Sequence, residues 1–189
     1  VKRLKDKAGR TARRAFTLPE LKKVLAACDE EWRSLVLCGF YTGARLGDLA
    51  GLTWQNVNLA KGELNYVSRK TERTVSIPMA ATLLDHMEKL PAGDDPKQPL
   101  HPRAFEAVTK GRVAMLSRQF GEILADAGLT VAKTHDADPE KKGRGARREL
   151  SEISFHALRH HKVSVLTHAG GSDAEAQDHA GHEPTAMPR

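Results

Sequence analysis

The feature that most constrains the fold is a change of period at residues 57–78. On either side apolar residues recur every three or four positions, the mark of helices packed on a core. Within it, Val57-Asn58-Leu59, Glu63-Leu64-Asn65-Tyr66-Val67 and Thr74-Val75-Ser76-Ile77-Pro78 tend toward alternation, separated by Ala60-Lys61-Gly62 and by the stretch from Ser68 to Arg73. Alternating runs joined by short turns form an antiparallel meander. The spacing therefore predicts an α+β chain, mainly α, with one small three-stranded antiparallel sheet. At 189 residues it is long enough for one full-sized domain with its own core.

The helices around that sheet announce themselves by caps and stripes. Thr17-Leu18-Pro19-Glu20 is a capping box with an early proline, which predicts a helix over 18–28 with Leu18, Leu21, Val24 and Leu25 inward. A second helix over 31–41 carries Trp32, Leu35, Val36, Cys38, Gly39 and Phe40 and breaks at Thr42-Gly43. A short helix follows from Arg45 to Leu52, with Asp48 three residues after Arg45 and so within pairing reach. Further helices are expected over 80–90 and 113–127, the latter ended by Gly128, with a proline-rich loop from Pro91 to Pro102 between them. Residues 133–149 show no apolar period and carry Lys141, Lys142, Arg144, Arg147 and Arg148; a loop facing an anion and a disordered insertion explain them equally well. A helix from His156 should stop at Gly170-Gly171, and Ser172-Asp173-Ala174-Glu175 caps another that ends near Gly181.

Charge is unevenly placed. Lys2, Arg3, Lys5, Lys7, Arg10, Arg13 and Arg14 stand against Asp6 alone in residues 1–14, which accounts for the whole net charge of +6 and leaves the remainder neutral. A basic arm leading into a neutral body suits a linker that tracks a nucleic-acid backbone; a solubilising tail has the same composition. No apolar run of about 18 residues exists, so no membrane is expected. Cys28 and Cys38 sit in apolar helical context, as thiols in a reducing cytoplasm would. The chain begins with Val1, so it is expected to start inside a longer gene product.

The chemistry concentrates in Ser154-Phe155-His156-Ala157-Leu158-Arg159-His160-His161. On a helix, His156, Arg159 and His160 share a face, an arrangement that suits a phosphate and that a plain polar face would also show. His156 with His160, and His179 with His182, have the spacing of metal pairs. Neither is accompanied by the glutamate of the zinc-protease motif or by a cysteine cluster, and Asp136 and Asp138 lack the rest of a calcium loop. No metal and no cofactor are expected.

Four motifs in order carry a resemblance. Thr42-Gly43-Ala44-Arg45 followed by Leu49 and Leu52, Lys70 in a β-turn, His156-Ala157-Leu158-Arg159-His160, and Gly181-His182 are together similar to the catalytic domain of the tyrosine recombinases, the phage-integrase family. The resemblance covers 15–189, and residues 1–14 resemble the linker to that family's N-terminal DNA-clamping domain. It implies a mainly helical domain that cuts DNA without metal or ATP through a 3′-phosphotyrosyl link. It implies that Arg45 and Arg159 clamp the non-bridging oxygens, Lys70 protonates the leaving 5′-OH, His156 acts as acid/base or phosphate donor, and His182 donates a further hydrogen bond. Asp48, where glutamate is commoner, would orient Arg45, and His160 would support the site. Lys2, Arg3, Arg10, Arg13, Arg14, Arg69 and Arg73 would contact double-stranded DNA.

The chain departs from the pattern in instructive places. The family's nucleophile lies roughly nine residues beyond the histidine matched by His182, which places it past Arg189. Tyr41 and Tyr66, the two tyrosines present, lie on a helix and mid-strand, poorly placed to attack a phosphate held by both arginines. His161 replaces a small hydroxyl residue and Ala180 a leucine. Without the tyrosine and the C-terminal segment that members exchange to form tetramers on DNA, the chain is expected to be an inactive monomer. Two other readings remain at this point: a type IB topoisomerase-like strand passer and a cleavage-dead DNA-binding module.

Overall fold

The computed structural model describes residues 14–131 and 152–159. In order these form α1 (Leu18–Ala27), α2 (Glu30–Thr42), α3 (Leu46–Ala50), a 3-10 turn (Trp54–Asn56), β1 (Val57–Asn58), β2 (Glu63–Val67), β3 (Thr74–Pro78), α4 (Ala81–Lys89), α5 (Pro102–Thr109) and α6 (Val113–Asp126). Residues 156–159 are helical. The expected helices beyond 159, the basic loop at 133–149, and with them His160, His161 and His182, lie outside the described residues.

Local chemistry explains the boundaries. Thr17 and Glu20 form the reciprocal capping box of α1, and the Asp29 carboxylate caps α2 by accepting from the Trp32 N–H. α2 ends where Gly43 takes φ 67°, a left-handed conformation that glycine adopts without steric cost, and returns its N–H to the Gly39 carbonyl. The sheet has order β1-β2-β3, with Leu64 opposite both Val57 and Ile77, and Tyr66 opposite Val75. The predicted meander is therefore present, and residues 64, 66 and 68 share one face of β2.

Two expectations need correction. Leu18 does not join the core stripe of α1: it is 59% exposed, because as the first helical residue it precedes the turn whose Leu21 and Val24 face inward. The loop expected up to Pro102 gives way at that residue to α5, which uses Pro102 in its first turn. It is only eight residues long, so the inward positions Ala104, Ala107 and Val108 repeat the helical period barely twice.

One core joins these helices. Leu35, Val36, Leu49, Leu83, Met87, Leu116, Phe120, Leu124, Ile153 and Leu158 are all buried in it. Fully buried His101, just before α5, ties three elements together, with Nδ1 3.3 Å from the Leu49 carbonyl and Nε2 2.9 Å from the Ser34 hydroxyl. A carbonyl only accepts, so Nδ1 carries the proton and Nε2 accepts from Ser34. Burial pushes this imidazole down to about 4, so it is neutral at physiological pH.

The last described segment reaches the site through a close approach. A Cβ at Gly39 would lie 2.8 Å from the Phe155 ring and 3.0 Å from Leu158, so α2 admits the segment only because position 39 is glycine. Phe155 also meets Phe120 edge-on at 5.2 Å. This docking carries Arg159 to the C-terminal end of α2.

Candidate active site

Arg45 sits at the N-cap of α3 in extended conformation, directly after the turn that ends α2. Its Nη1 lies 3.2 Å from the Ser68 hydroxyl and 3.9 Å from Asp48 Oδ2, and the Ser68 hydroxyl in turn donates to Asp48 Oδ2 at 3.4 Å. Asp48 Oδ1 accepts the Arg69 N–H at 2.9 Å. Asp48 is 6% exposed and Ser68 2%, so this network is sheltered and each member keeps the others satisfied.

Arg159 arrives from the far end of the sequence. It is 3% exposed and donates from Nη1 to the Gly43 carbonyl at 3.2 Å. Burial, and then the charge of Arg45, pull its guanidinium down to about 10, against the opposing pull of Tyr66 and Asp48. It still carries its charge at neutral pH. Two cations that repel one another in a sheltered corner form a site that an anion would relieve.

Tyr66 lies two residues before Ser68 on the same face of β2, within electrostatic reach of Asp48, Arg159 and Arg45. Burial first, then the Asp48 charge, push its phenol up to about 12, so its phenolate is harder to form than that of a free tyrosine.

The sequence-derived residues distribute as follows. Arg45, Asp48 and Arg159 come together, 114 residues apart in the case of the arginines. Lys70 is exposed on the β2–β3 turn, flanked by exposed Arg69 and Arg73. His156 is half-buried one helical turn before Arg159. Arg14 is held by the body: its guanidinium makes bonds of 2.6 and 2.8 Å to Glu20 and lies 3.8 Å from Glu152. Lys2, Arg3, Arg10 and Arg13 lie outside the described residues. Sequence reasoning passed over Ser68 and the Gly43 carbonyl, and weighed Tyr66 only as a nucleophile; for Ser68 and Tyr66 the available signal was the alternation that puts them on the face of Leu64.

Cys28 and Cys38 are free and buried, and burial raises their thiols to about 11 and 12, which leaves them unreactive. Among the described residues no three His, Cys, Asp or Glu side chains gather as a metal site needs, and no helix is long and apolar enough to cross a membrane.

The profile of the phage integrase family matches residues 14–188. The chain belongs to that family. As a phage-integrase-family member it is a tyrosine-recombinase catalytic domain, and its fold agrees with solved structures of that class. XerA recombinase is 20% identical with TM-score 0.63, over 94% of this chain and 59% of that one. The lambda integrase catalytic core is 21% identical with TM-score 0.58, over 94% and 96% of the two chains. A lambda integrase tetramer bound to a Holliday junction is 21% identical with TM-score 0.61, over 95% and 48%. The chain thus spans about the length of the isolated core but only about half to three-fifths of the longer proteins. Compared directly by sequence with curated proteins, it has no significant match.

Proposed function

We propose that this integrase-family chain is the catalytic core of a site-specific DNA recombinase that cleaves and rejoins strands through a 3′-phosphotyrosyl intermediate. The observation that carries the reading is the convergence of Arg45 and Arg159 in one sheltered corner, beside the turn that bears Lys70. A phosphodiester under attack accumulates charge on its non-bridging oxygens, and fixed guanidinium forks bind that charge where it develops.

In the step itself, a phenol oxygen bonds to phosphorus and the bond to the 5′ oxygen breaks. Lys70 gives its proton to that leaving oxygen, which an arginine could not readily do. His156 takes the phenolic proton or holds a non-bridging oxygen, His182 donates to the phosphate, and His160 supports them. Rejoining reverses each transfer with a partner strand's 5′-OH. In this reading the attacking tyrosine is the one that the family pattern places beyond residue 189.

Double-stranded DNA is the substrate, with Lys2, Arg3, Arg10, Arg13, Arg14, Arg69 and Arg73 along its backbone. A lambda integrase has been solved as a tetramer on a Holliday junction, and we assign the same order of assembly to the full-length protein. Neutral, buried thiols suit a reducing cytoplasm. The test is a covalent trap: the protein extended through its tyrosine should form a detergent-resistant adduct with a nicked core-site duplex, and replacing that tyrosine by Phe should abolish it. Tight DNA binding without adduct would make the chain a binding module, and relaxation of a plasmid with one site would make it a topoisomerase.

A further inference from the structure

Lys70 stands on an exposed turn, yet a proton donor must be held within hydrogen-bond reach of one oxygen. In this turn Glu72 takes φ 55°, a left-handed conformation that is strained for a non-glycine residue. Ser68 closes it from below: its N–H donates to the Arg73 carbonyl at 2.9 Å, and its carbonyl accepts the Glu72 N–H at 2.8 Å.

The same serine faces the arginine corner. Its hydroxyl accepts from Arg45 Nη1 at 3.2 Å and donates to Asp48 Oδ2 at 3.4 Å. Asp48 adds a second tether through the Arg69 N–H at 2.9 Å. Every polar atom of Ser68 is therefore engaged, the backbone pair with the turn and the hydroxyl with the ion pair. Threonine could keep both connections; alanine keeps the first and loses the second.

We infer that Ser68 is a positioning residue that couples the Lys70 turn to the Arg45–Asp48 pair, so that the proton donor is placed relative to the phosphate clamp. The inference rests on the role proposed above for Lys70 and says how that role is made possible.

The experiment uses the protein extended through its tyrosine and two core-site duplexes, one with oxygen and one with sulfur at the 5′ bridging position. A thiolate leaves without a proton, so the sulfur duplex reports everything except proton donation. Lys70→Ala should slow cleavage of the oxygen duplex about a hundredfold and leave the sulfur duplex nearly unchanged. Ser68→Ala should show the same signature at about tenfold, with unchanged DNA affinity, and Ser68→Thr should recover most of the rate. Ser68→Ala added to Lys70→Ala should cost nothing further. If Ser68→Ala slows both duplexes equally, the serine acts through Arg45 alone and the coupling is wrong. If Lys70→Ala is not rescued by sulfur, the lysine is not the proton donor and the inference falls with it. Should Ser68→Ala fail to melt cooperatively, Ser68→Cys, which keeps the turn and weakens the hydroxyl's bonds, gives the same two readings.

Discussion

The two arginines of the site are held by opposite means. Arg45 stands at a helix N-cap against a carboxylate and a hydroxyl, so its charge is locally answered and its orientation comes from side chains. Arg159 is buried, leans on a backbone carbonyl, and has its guanidinium pulled down to about 10. One stands part-exposed beside a carboxylate, the other buried against the end of α2. A fork fixed by burial needs little reorientation as charge develops on the phosphate, so Arg159 should carry more of the transition-state stabilisation.

The widest separation of the two corners comes from charge-preserving replacement. Arg159→Lys should lower single-turnover cleavage about a thousandfold, because a point charge cannot reproduce a buried fork. Arg45→Lys should cost about a hundredfold, since Asp48 and Ser68 remain to hold the ammonium nearby. The reverse order in stopped assays on one duplex would break the comparison.

A smaller effect tests whether the corner wants an anion at all. Inorganic phosphate at about tenfold its dissociation constant should stabilise the folded chain by about 1.4 kcal/mol, read as a rise in Tm. Arg45→Ala should diminish that rise but not remove it. An identical rise in both proteins would mean that phosphate binds elsewhere.

The smallest effect concerns the Tyr66 phenol beside the two arginines. Tyr66 titrates near 12 in the fold and near 10 in an unfolded chain, so its contribution to stability is complete below pH 10 and is lost as pH rises toward 12. Tyr66→Phe should therefore show a shallower alkaline loss of stability than the parent, by about 1 kcal/mol after solvent screening, in denaturant titrations across that window. Parallel curves would show that Tyr66 ionises freely, without the upward push of burial and of the Asp48 charge.

Particular residues show how much of this was legible. The strands were readable because alternation and the turn at Gly62 are local, and the boundaries of β2 and β3 follow Glu63–Val67 and Thr74–Pro78 as the pattern indicated. α5 was not readable, because eight residues give the apolar period little room to repeat and Pro102, which closes a proline-rich stretch, reads as loop as readily as first turn. Arg45 with Asp48 was legible from i,i+3 spacing, and Arg159 from its motif. Ser68 was not, since a serine before a turn looks like any other turn residue until Arg45 and Asp48 stand beside it.

The sequence by itself determined the period of each segment, the caps and the residue types able to grip a phosphate, because these depend on neighbours a few positions away. Only the tertiary structure decided that Gly39 would let Phe155 and Leu158 against α2, bringing Arg159 beside a turn more than a hundred residues earlier. It also decided that one carboxylate would hold both Arg45 and the lysine's turn. The field each guanidinium feels depends on burial and on charges from distant segments, and those distances exist only once the chain has packed.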